Sequence, residues 1–287
     1  MKKIYEILII GLILIISHCS KENLIKKPTQ DNGEYFFLPK NEISDQTYHT
    51  NHYEIFGKYV TGFNDFILKG IDKAQASAPD GGGYFTGKTA VPTESPIGYE
   101  LSLFDRPLLD PPRPTSYCSG ASYTAFIEGL NLIFNETEKE DLDYQHYEAM
   151  RMQEVDGSRR NDGIKYWGHW NADGFGSHFA LVQYSGMGKE IKPENARPGD
   201  FVNISWKSGL GHSVVFLGWY KDDVGKNNIL YWSSQKSTNG MGDQIVSMDK
   251  VKEVKIVRLT SPQQLFSFDT KTLINTNVKG DPVSFQQ

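Results

Sequence analysis

The chain has 287 residues, with 30 Lys and Arg residues against 35 Asp and Glu residues and a formal net charge of −5. A mildly acidic chain without a basic patch lacks the electrostatic footprint of nucleic-acid binding, so we expect no nucleic-acid partner. The part beyond residue 44, about 240 residues, is long enough for one good-sized domain with an N-terminal extension and too short to argue for two.

The N-terminus has the pattern of an export signal. Met1 is followed by two lysines, and residues 7–16 form an apolar run interrupted only by Gly11. Such a run is too short to span a bilayer and is typical of a secretory signal peptide, which we place at residues 1–18. Residues 16–19, Ile-Ser-His-Cys, resemble a bacterial lipobox. This implies lipidation at position 19 and a location in the cell envelope, anchored to a bacterial membrane.

His18 departs from the lipobox pattern, in which the residue before the cysteine is small. Ordinary export and an uncleaved short anchor therefore remain alternatives to lipidation of Cys19. The outcome matters for the second cysteine, Cys118, because an exported chain must keep an unpaired cysteine reduced, buried or employed. If Cys19 is not lipidated, a disulfide between the two cysteines becomes possible.

Two segments are low in apolar residues: we expect no core residues from the first, and the second has too little apolar content for a separate domain. Residues 19–44 are polar and include Pro28, Gly33 and Pro39, which is typical of a flexible tether. Residues 263–287 are also polar, and we predict that they form a C-terminal tail.

Residues 45–95 form an N-terminal helical extension and loop. Apolar residues between Phe56 and Ile71 recur at helical spacing and predict one long amphipathic helix over residues 45–76. We expect this helix to pack on the following domain, with its glycines allowing close approach.

Residues 82–89, Gly-Gly-Tyr-Phe-Thr-Gly-Lys-Thr, match the phosphate-binding pattern G-x-x-x-x-G-K-[ST]. A functional P-loop follows a buried strand and opens a helix, whereas here Pro92 and Pro96 stand where the helix would begin. We therefore reject nucleotide binding and predict a surface loop that leads to a short strand at residues 99–104.

Cys118 stands at the start of a predicted helix. Thr115 and Ser116 are natural N-cap residues, and apolar residues from position 121 onward recur at three- and four-residue spacing. The free backbone N–H groups and the helix dipole in the first turn favour a thiolate, so we expect a lowered pKa for the Cys118 thiol. Its neighbours Tyr117 and Ser119 are candidates for shaping the site and binding an oxyanion.

A second helix is predicted over residues 138–153, followed by a long loop over residues 157–176 and a short helix that begins at residue 177. Loops of that length are more often functional than incidental. Trp167 and Trp170 either wall a substrate cleft or anchor this loop in the core.

Potential zinc ligands, His169, Asp173 and His178, also occur in this region. Their spacing matches no recognised zinc hydrolase pattern, so we predict no metal site. We also predict no cofactor.

Alternating or continuous apolar patterns predict four further strands, antiparallel to their neighbours, at residues 200–206, 212–219, 228–235 and 254–259. A Pro-Gly-Asp turn leads into the first, and His212 opens the second. Residues 237–243 are predicted as a turn.

Strand register suggests a partner for His212. If the second and third of these strands form a hairpin in which Trp219 pairs with Asn228, opposed residues keep a constant sum of numbers, and His212 faces Gln235. A slip of one or two residues would bring Ser234 or Ser233 there instead. An amide oxygen at position 235 would accept from the second ring N–H and fix the tautomer.

Three short motifs carry a family resemblance: Tyr-Cys-Ser around Cys118, Arg-Pro-Gly-Asp at residues 197–200, and Gly-His-Ser around His212. Together they resemble the NlpC and CHAP families of papain-like bacterial cell-wall hydrolases, over roughly residues 99–259. The resemblance implies an α+β papain-like domain, which we place at residues 96–262. It also implies a cysteine nucleophile, a histidine base and a third polar residue that orients the imidazole. Gln235 is a departure, because these families more usually have histidine, asparagine or an acid there.

We therefore expect an exported cysteine peptidase or amidase that cleaves amide bonds of peptidoglycan peptides through Cys118, His212 and Gln235. Tyr117, Ser119 and Trp170 are the substrate or oxyanion candidates. One alternative is an envelope-binding module of the same fold that cuts nothing. Another is a cysteine acyltransferase or amidohydrolase that acts on a different substrate.

Overall fold

The computed structural model describes residues 33–43, 46–60, 62–91, 96–109, 113–154, 167, 176–272 and 278–285. The predicted signal peptide, Cys19 and Trp170 lie outside these residues, as do His169 and Asp173. Within them the helices are α1 (His52–Phe56), α2 (Asn64–Ser77), α3 (Cys118–Ile133), α4 (Glu136–Glu140), α5 (Tyr144–Ala149) and α6 (Gly176–Gln183). The strands are β1 (Leu101–Leu103), β2 (Arg106–Leu109), β3 (Gly188–Ile191), β4 (Phe201–Trp206), β5 (Gly211–Lys221), β6 (Asn227–Gln235), β7 (Gly240–Ser247) and β8 (Val251–Leu259). The chain is α+β, as predicted.

The larger sheet has six strands in the order β3-β8-β4-β5-β6-β7, and each neighbouring pair is antiparallel. The four strands predicted for this region are β4, β5, β6 and β8. The prediction of a turn at residues 237–243 is wrong, because a short 3-10 turn ends at Asn239 and β7 begins at Gly240. Asn239 has a positive φ of 47°. Its left-handed backbone reverses the direction of the chain at residue 239, so that Gly240 and the residues after it pair with β6.

The two faces of this sheet are covered differently. Val215 and Trp232 face the side on which α2 and α3 pack, whereas Val214, Phe216 and Tyr231 belong to a separate cluster on the other side. The alternation follows from the two-residue period of a strand. A site at the end of this sheet can therefore draw residues from a helical layer and from an open face.

Helices α2 and α3 touch at two glycines. A Cβ added to Gly70 would lie 2.4 Å from the Ala125 carbonyl oxygen, and one added to Gly129 would lie 2.7 Å from the Ile67 side chain. Gly70 would meet a backbone oxygen that cannot move aside, so this position needs glycine, whereas Gly129 would meet the end of a flexible side chain. This confirms the expected close packing of the N-terminal helical segment.

Both long helices predicted on the N-terminal side of the sheet are broken. The segment at residues 45–76 forms α1 and α2, separated by a 3-10 turn and by Gly62 with a φ of +62°. The segment at residues 138–153 forms α4 and α5, where the Asp143 side chain accepts from the His146 N–H and starts a new helix. Apolar spacing continues across both breaks, so periodicity alone does not reveal them.

Residues 82–89 form a loop with positive φ at Gly82, Gly83 and Gly87, and residues 88–91 are not helical. In this described part of the loop the lysine and threonine of the pattern do not open a helix, whereas a P-loop binds phosphate at a helix N-terminus. The loop instead touches the segment before α3, where Tyr84 bridges Ser116.

The segments predicted as a tether and a tail contribute to the packing where the structure describes them. Leu38 is 4% exposed, and its N–H donates to the Trp219 carbonyl oxygen at 2.8 Å. Leu265 is fully buried, and the ring of Phe285 lies 5.4 Å from that of Trp219 and 4.6 Å from that of Tyr35. The expectation that the tether contributes nothing to the core is therefore wrong at Leu38, because a few large apolar side chains within polar segments suffice to fill a groove.

Candidate active site at the end of the sheet

Cys118 is the first residue of α3, as predicted. Tyr117 caps the helix in an extended conformation, and its N–H donates to the Pro96 carbonyl oxygen at 2.9 Å. A Cβ on Gly120 would lie 1.9 Å from the same oxygen, so only glycine fits there. The Cys-Ser-Gly sequence thus lets the loop at residue 96 pass directly over the first turn of α3 and fixes the position of the thiol.

The Cys118 thiol is buried, with 5% of the residue exposed. Burial raises its pKa, while the backbone N–H of Ser213, the Tyr117 hydroxyl and the Ser119 N–H act in the opposite direction. The expectation of a lowered pKa is wrong, because the loss of water around the sulfur outweighs the helix terminus. The same N–H groups remain suited to binding an oxyanion.

His212 lies in β5, paired with Ile204 of β4. Its ring is flanked by Trp206, with centroids 6.2 Å apart, and by Tyr231 at 5.5 Å. The protein atoms packed around the partly exposed ring disfavour the imidazolium and lower the pKa of His212 to about 4, although Gln235 acts in the opposite direction. His212 is therefore neutral near pH 7 and can accept a proton.

Gln235 lies beside His212, with its Oε1 3.4 Å from the ring Nε2. The Gln235 amide nitrogen donates to Thr238 Oγ1 at 2.6 Å and to the Gly242 carbonyl oxygen at 3.1 Å, which turns Oε1 toward the imidazole. The two alternatives point elsewhere: Ser234 Oγ accepts from Ser116, and Ser233 Oγ donates to the Ser213 carbonyl oxygen.

The predicted pairing of Trp219 with Asn228 is wrong by one residue, since Trp219 pairs with Ile229. An irregularity in β5 between Phe216 and Gly218 then shifts the register, and Val215 pairs with Trp232. Beyond this bulge the sum of paired numbers matches the predicted one, so the error at the hairpin is cancelled before the strand reaches His212.

The thiol and the imidazole approach the end of the sheet from different sides. Cys118 contacts the N–H of Ser213, the residue after His212, but strand alternation directs the His212 ring to the face away from α3. Among the described residues no hydrogen bond joins the thiol to the ring. Tyr231 relates the two groups, because its ring lies beside His212 while burial and the nearby Cys118 raise its pKa.

A cleft of about 620 Å³ opens on the His212 side. His212, Gln235, Tyr231, Tyr84 and Trp206 are among the residues that line it. Burial and the nearby Cys118 raise the pKa of Tyr84 to about 12. Cys118 itself is not among the residues that line the cleft. The sequence analysis missed Tyr84, Tyr231 and Trp206. For the last two, the only signal in the sequence is strand alternation. Tyr231 lies four residues before Gln235 in β6, and Trp206 lies two residues after Ile204, which pairs with His212, so each is on the same face as its reference residue.

Two other residues considered in the sequence, Trp167 and His178, are not among the residues that line this cleft. Trp167 is fully buried against Phe126, with ring centroids 4.7 Å apart, so it anchors its segment in the core. His178 is also buried, its Nε2 is 3.0 Å from Ser122 Oγ, and burial lowers its pKa to about 3. His178 therefore acts as a neutral core residue in the described part of the chain.

Asp200, the last residue of the Arg-Pro-Gly-Asp motif, has a structural role. Its carboxylate accepts from Arg258 Nε at 2.7 Å and from Arg258 Nη2 at 2.8 Å, and both side chains are fully buried. Asn64 of α2 donates to the same carboxylate at 2.8 Å. The motif thus joins β4, β8 and α2 beneath the site.

No protein-family model, curated protein or solved structure matches this chain. Of the helices within the described residues, none combines the length and apolar character needed to cross a bilayer.

Proposed function

We propose that the chain is a cysteine hydrolase of papain-like fold that cleaves amide bonds in peptidoglycan peptides. The observation that carries the proposal is the arrangement at the end of the sheet. A cysteine at a helix N-terminus faces three backbone N–H groups, those of Ser213, Ser119 and Cys118 itself. His212, which is oriented by Gln235, directly precedes Ser213 in the chain and lines an open cleft.

The proposed reaction begins with both groups uncharged, because the pKa of Cys118 is raised and that of His212 is lowered. His212 takes the thiol proton as Cys118 attacks the amide carbonyl, so the pair has to come within hydrogen-bond reach in the substrate complex. His212 then gives the proton to the leaving amine and activates water to release the acyl group. The N–H groups at the start of α3 stabilise the oxyanion, at about 3 kcal/mol per donor.

The cleft suits an anionic peptide. Lys207, Lys236 and Lys250 line it and are exposed, and Asp249 is the carboxylate among its lining residues. Exposed lysines attract carboxylate groups. The neutral amide of the same peptide would then lie against Tyr84 and Tyr231, which also line the cleft. Peptidoglycan stem peptides carry such carboxylates, and the predicted export and lipid anchor would hold the enzyme near this polymer.

The test is amine release from purified peptidoglycan by the full chain. Residues 33–43 should be kept, since Leu38 is part of the core. We expect new amines to appear with the wild-type protein and not with Cys118→Ser or His212→Ala, because binding energy does not replace a nucleophile or a base. A folded protein that leaves several peptidoglycan chemotypes uncut, or a Cys118→Ser variant that remains active, would contradict the proposal.

The raised pKa of the buried Cys118 favours a second candidate, an envelope-binding module of the same fold. Such a protein would sediment with peptidoglycan and release no amines. The Lys207, Lys236 and Lys250 side chains would still matter for binding in this case, whereas Cys118→Ser would change nothing.

A further inference from the structure

Four titratable side chains outside the cleft meet at the opposite side of β7. His49 precedes α1, His52 is its first residue, Asp72 belongs to α2, and Asp243 belongs to β7. The two histidines are close in the sequence, but Asp243 is 191 residues away from the nearer of them, so no local spacing reveals the cluster. The residues considered in the sequence as zinc ligands are His169, Asp173 and His178.

The ring nitrogens of both histidines converge on one carboxylate. His49 Nε2 is 3.0 Å from Asp243 Oδ2, and His52 Nε2 is 3.0 Å from Asp243 Oδ1. The two rings are stacked with centroids 4.1 Å apart. One nitrogen or oxygen atom from each of the three side chains lies within 4.8 Å of the others, a separation that one metal ion can span.

Asp72 orients His52 from behind. Its Oδ1 lies 2.7 Å from His52 Nδ1 and also accepts from the His52 backbone N–H at 2.7 Å. Its other oxygen accepts from the Tyr53 N–H at 3.0 Å. A carboxylate that holds the far nitrogen of a histidine fixes the tautomer and aims the near nitrogen, as in carboxylate–histidine–zinc arrangements.

The cluster brings two carboxylates together in a largely enclosed place. The Asp243 side chain is 9% exposed and the Asp72 side chain 19% exposed. A divalent ion would balance both carboxylates.

Two independent features point to a ligand at this place. His49 is 6% exposed, and its Nδ1 is buried with no hydrogen-bond partner among the described residues, so no contact behind the ring commits Nε2 to donating a proton. Asp243 also lines a cavity of about 290 Å³, which gives an ion a route to the cluster.

We propose that His49, His52 and Asp243 bind a divalent transition-metal ion, with Zn²⁺ the best fit, and that Asp72 positions His52 for it. Two imidazoles and one carboxylate leave the fourth tetrahedral position to water from the adjoining cavity. Because the ligands come from the segment around α1 and from β7, the ion fastens the N-terminal helical segment to the edge of the sheet. The proposal is independent of the proposed hydrolase activity.

The test uses the full chain without a histidine tag, equilibrated with ZnCl₂, passed through a desalting column and analysed for metal content. We expect close to one zinc ion per chain, a higher melting temperature with Zn²⁺ than with EDTA, and loss of both effects in Asp243→Asn and His49→Gln. Co²⁺ in place of Zn²⁺ should give the visible absorption of a tetrahedral site in the wild-type protein.

Two controls locate the ion. His146→Gln removes a histidine paired with Asp143 at 2.9 Å but with no second imidazole, and it should retain zinc. Cys118→Ser should also retain zinc, which excludes the thiol as a ligand. The zinc content and the melting temperature of the wild-type protein do not depend on how the variants fold. Absence of zinc from the wild-type protein together with an unchanged melting temperature in EDTA would overturn the proposal and leave the cluster a hydrogen-bonded network.

Discussion

At the residue scale, the site combines a thiol and an imidazole whose surroundings both oppose charge. Helix position alone predicts a reactive thiolate at Cys118, and burial reverses that prediction. The sequence shows which residue opens a helix, but it does not show how much water the completed fold leaves around the sulfur. The Tyr117 hydroxyl is one of the groups that still favour the thiolate.

Alkylation of Cys118 by iodoacetamide should reflect this balance. The thiolate is the reactive form, so a raised pKa makes the reaction slow near pH 7 and moves its rise above about pH 8.5, the usual thiol value. Tyr117→Phe removes a donor that lowers the pKa and should move the midpoint further upward. Tyr84→Phe removes no such donor and should not. Rapid alkylation that is already complete at neutral pH would contradict this assignment.

Gln235 provides the second prediction at this scale. Replacing Gln235 with Ala removes one hydrogen bond to the His212 ring, worth about 0.5–1.5 kcal/mol, which corresponds to turnover slower by about 2- to 13-fold. Ser234→Ala is the matched control, because Ser234 faces Ser116 and should leave turnover unchanged. Steady-state rates of amine release measure both. If the Ser234 variant were the impaired one, the register would be misassigned.

At the element scale, strongly patterned segments are predictable and interruptions are not. Strands β4, β5, β6 and β8 follow from their apolar patterns, and α3 follows from its spacing. The predicted caps of α3, Thr115 and Ser116, are wrong, because Tyr117 is its N-cap. The breaks at Gly62 and Asp143 depend on local backbone and cap geometry that periodicity does not report. β7 is missed because its first residues are glycines, which read as a turn in a sequence and as a closely packed strand in the fold.

The partner of His212 is predicted correctly through a wrong intermediate step. A constant-sum argument assumes a regular ladder, and the bulge between Phe216 and Gly218 violates it. The shift at the bulge cancels the misplacement of the hairpin. Gln235 could thus be predicted from the sequence. The position of Cys118 on the other side of the sheet from the His212 ring could not, because it depends on how α3 packs on the sheet, and strand patterns do not show this.

At the scale of the whole molecule, segments with polar compositions complete the core. Leu38 fills the space above Gly218, where an added Cβ would lie 2.3 Å from the leucine side chain. Composition averaged over residues 19–44 hides this contact, since one large apolar residue decides it. Residues 19–44 are therefore predicted as a tether because their average composition is polar, although Leu38 is a core residue.

Leu38→Ala should lower the free energy of unfolding by about 2–5 kcal/mol, the range for truncating a buried leucine. Leu132→Ala is the matched control, because Leu132 is 47% exposed on α3 and should cost far less. Urea unfolding of the full chain measures both. Equal effects of the two substitutions would show that residue 38 adds nothing to the core.

The aromatic cluster around Trp219 also constrains the order of folding. It joins Tyr35 to Phe285, residues from opposite ends of the described chain, which pack on each other and on the same tryptophan. Closing so long a loop costs entropy that is offset only after the strands between are in place. This face of the sheet should therefore be completed last. A chain whose last residues are still being synthesised lacks the ring of Phe285, and hence the contacts that complete this face of the sheet.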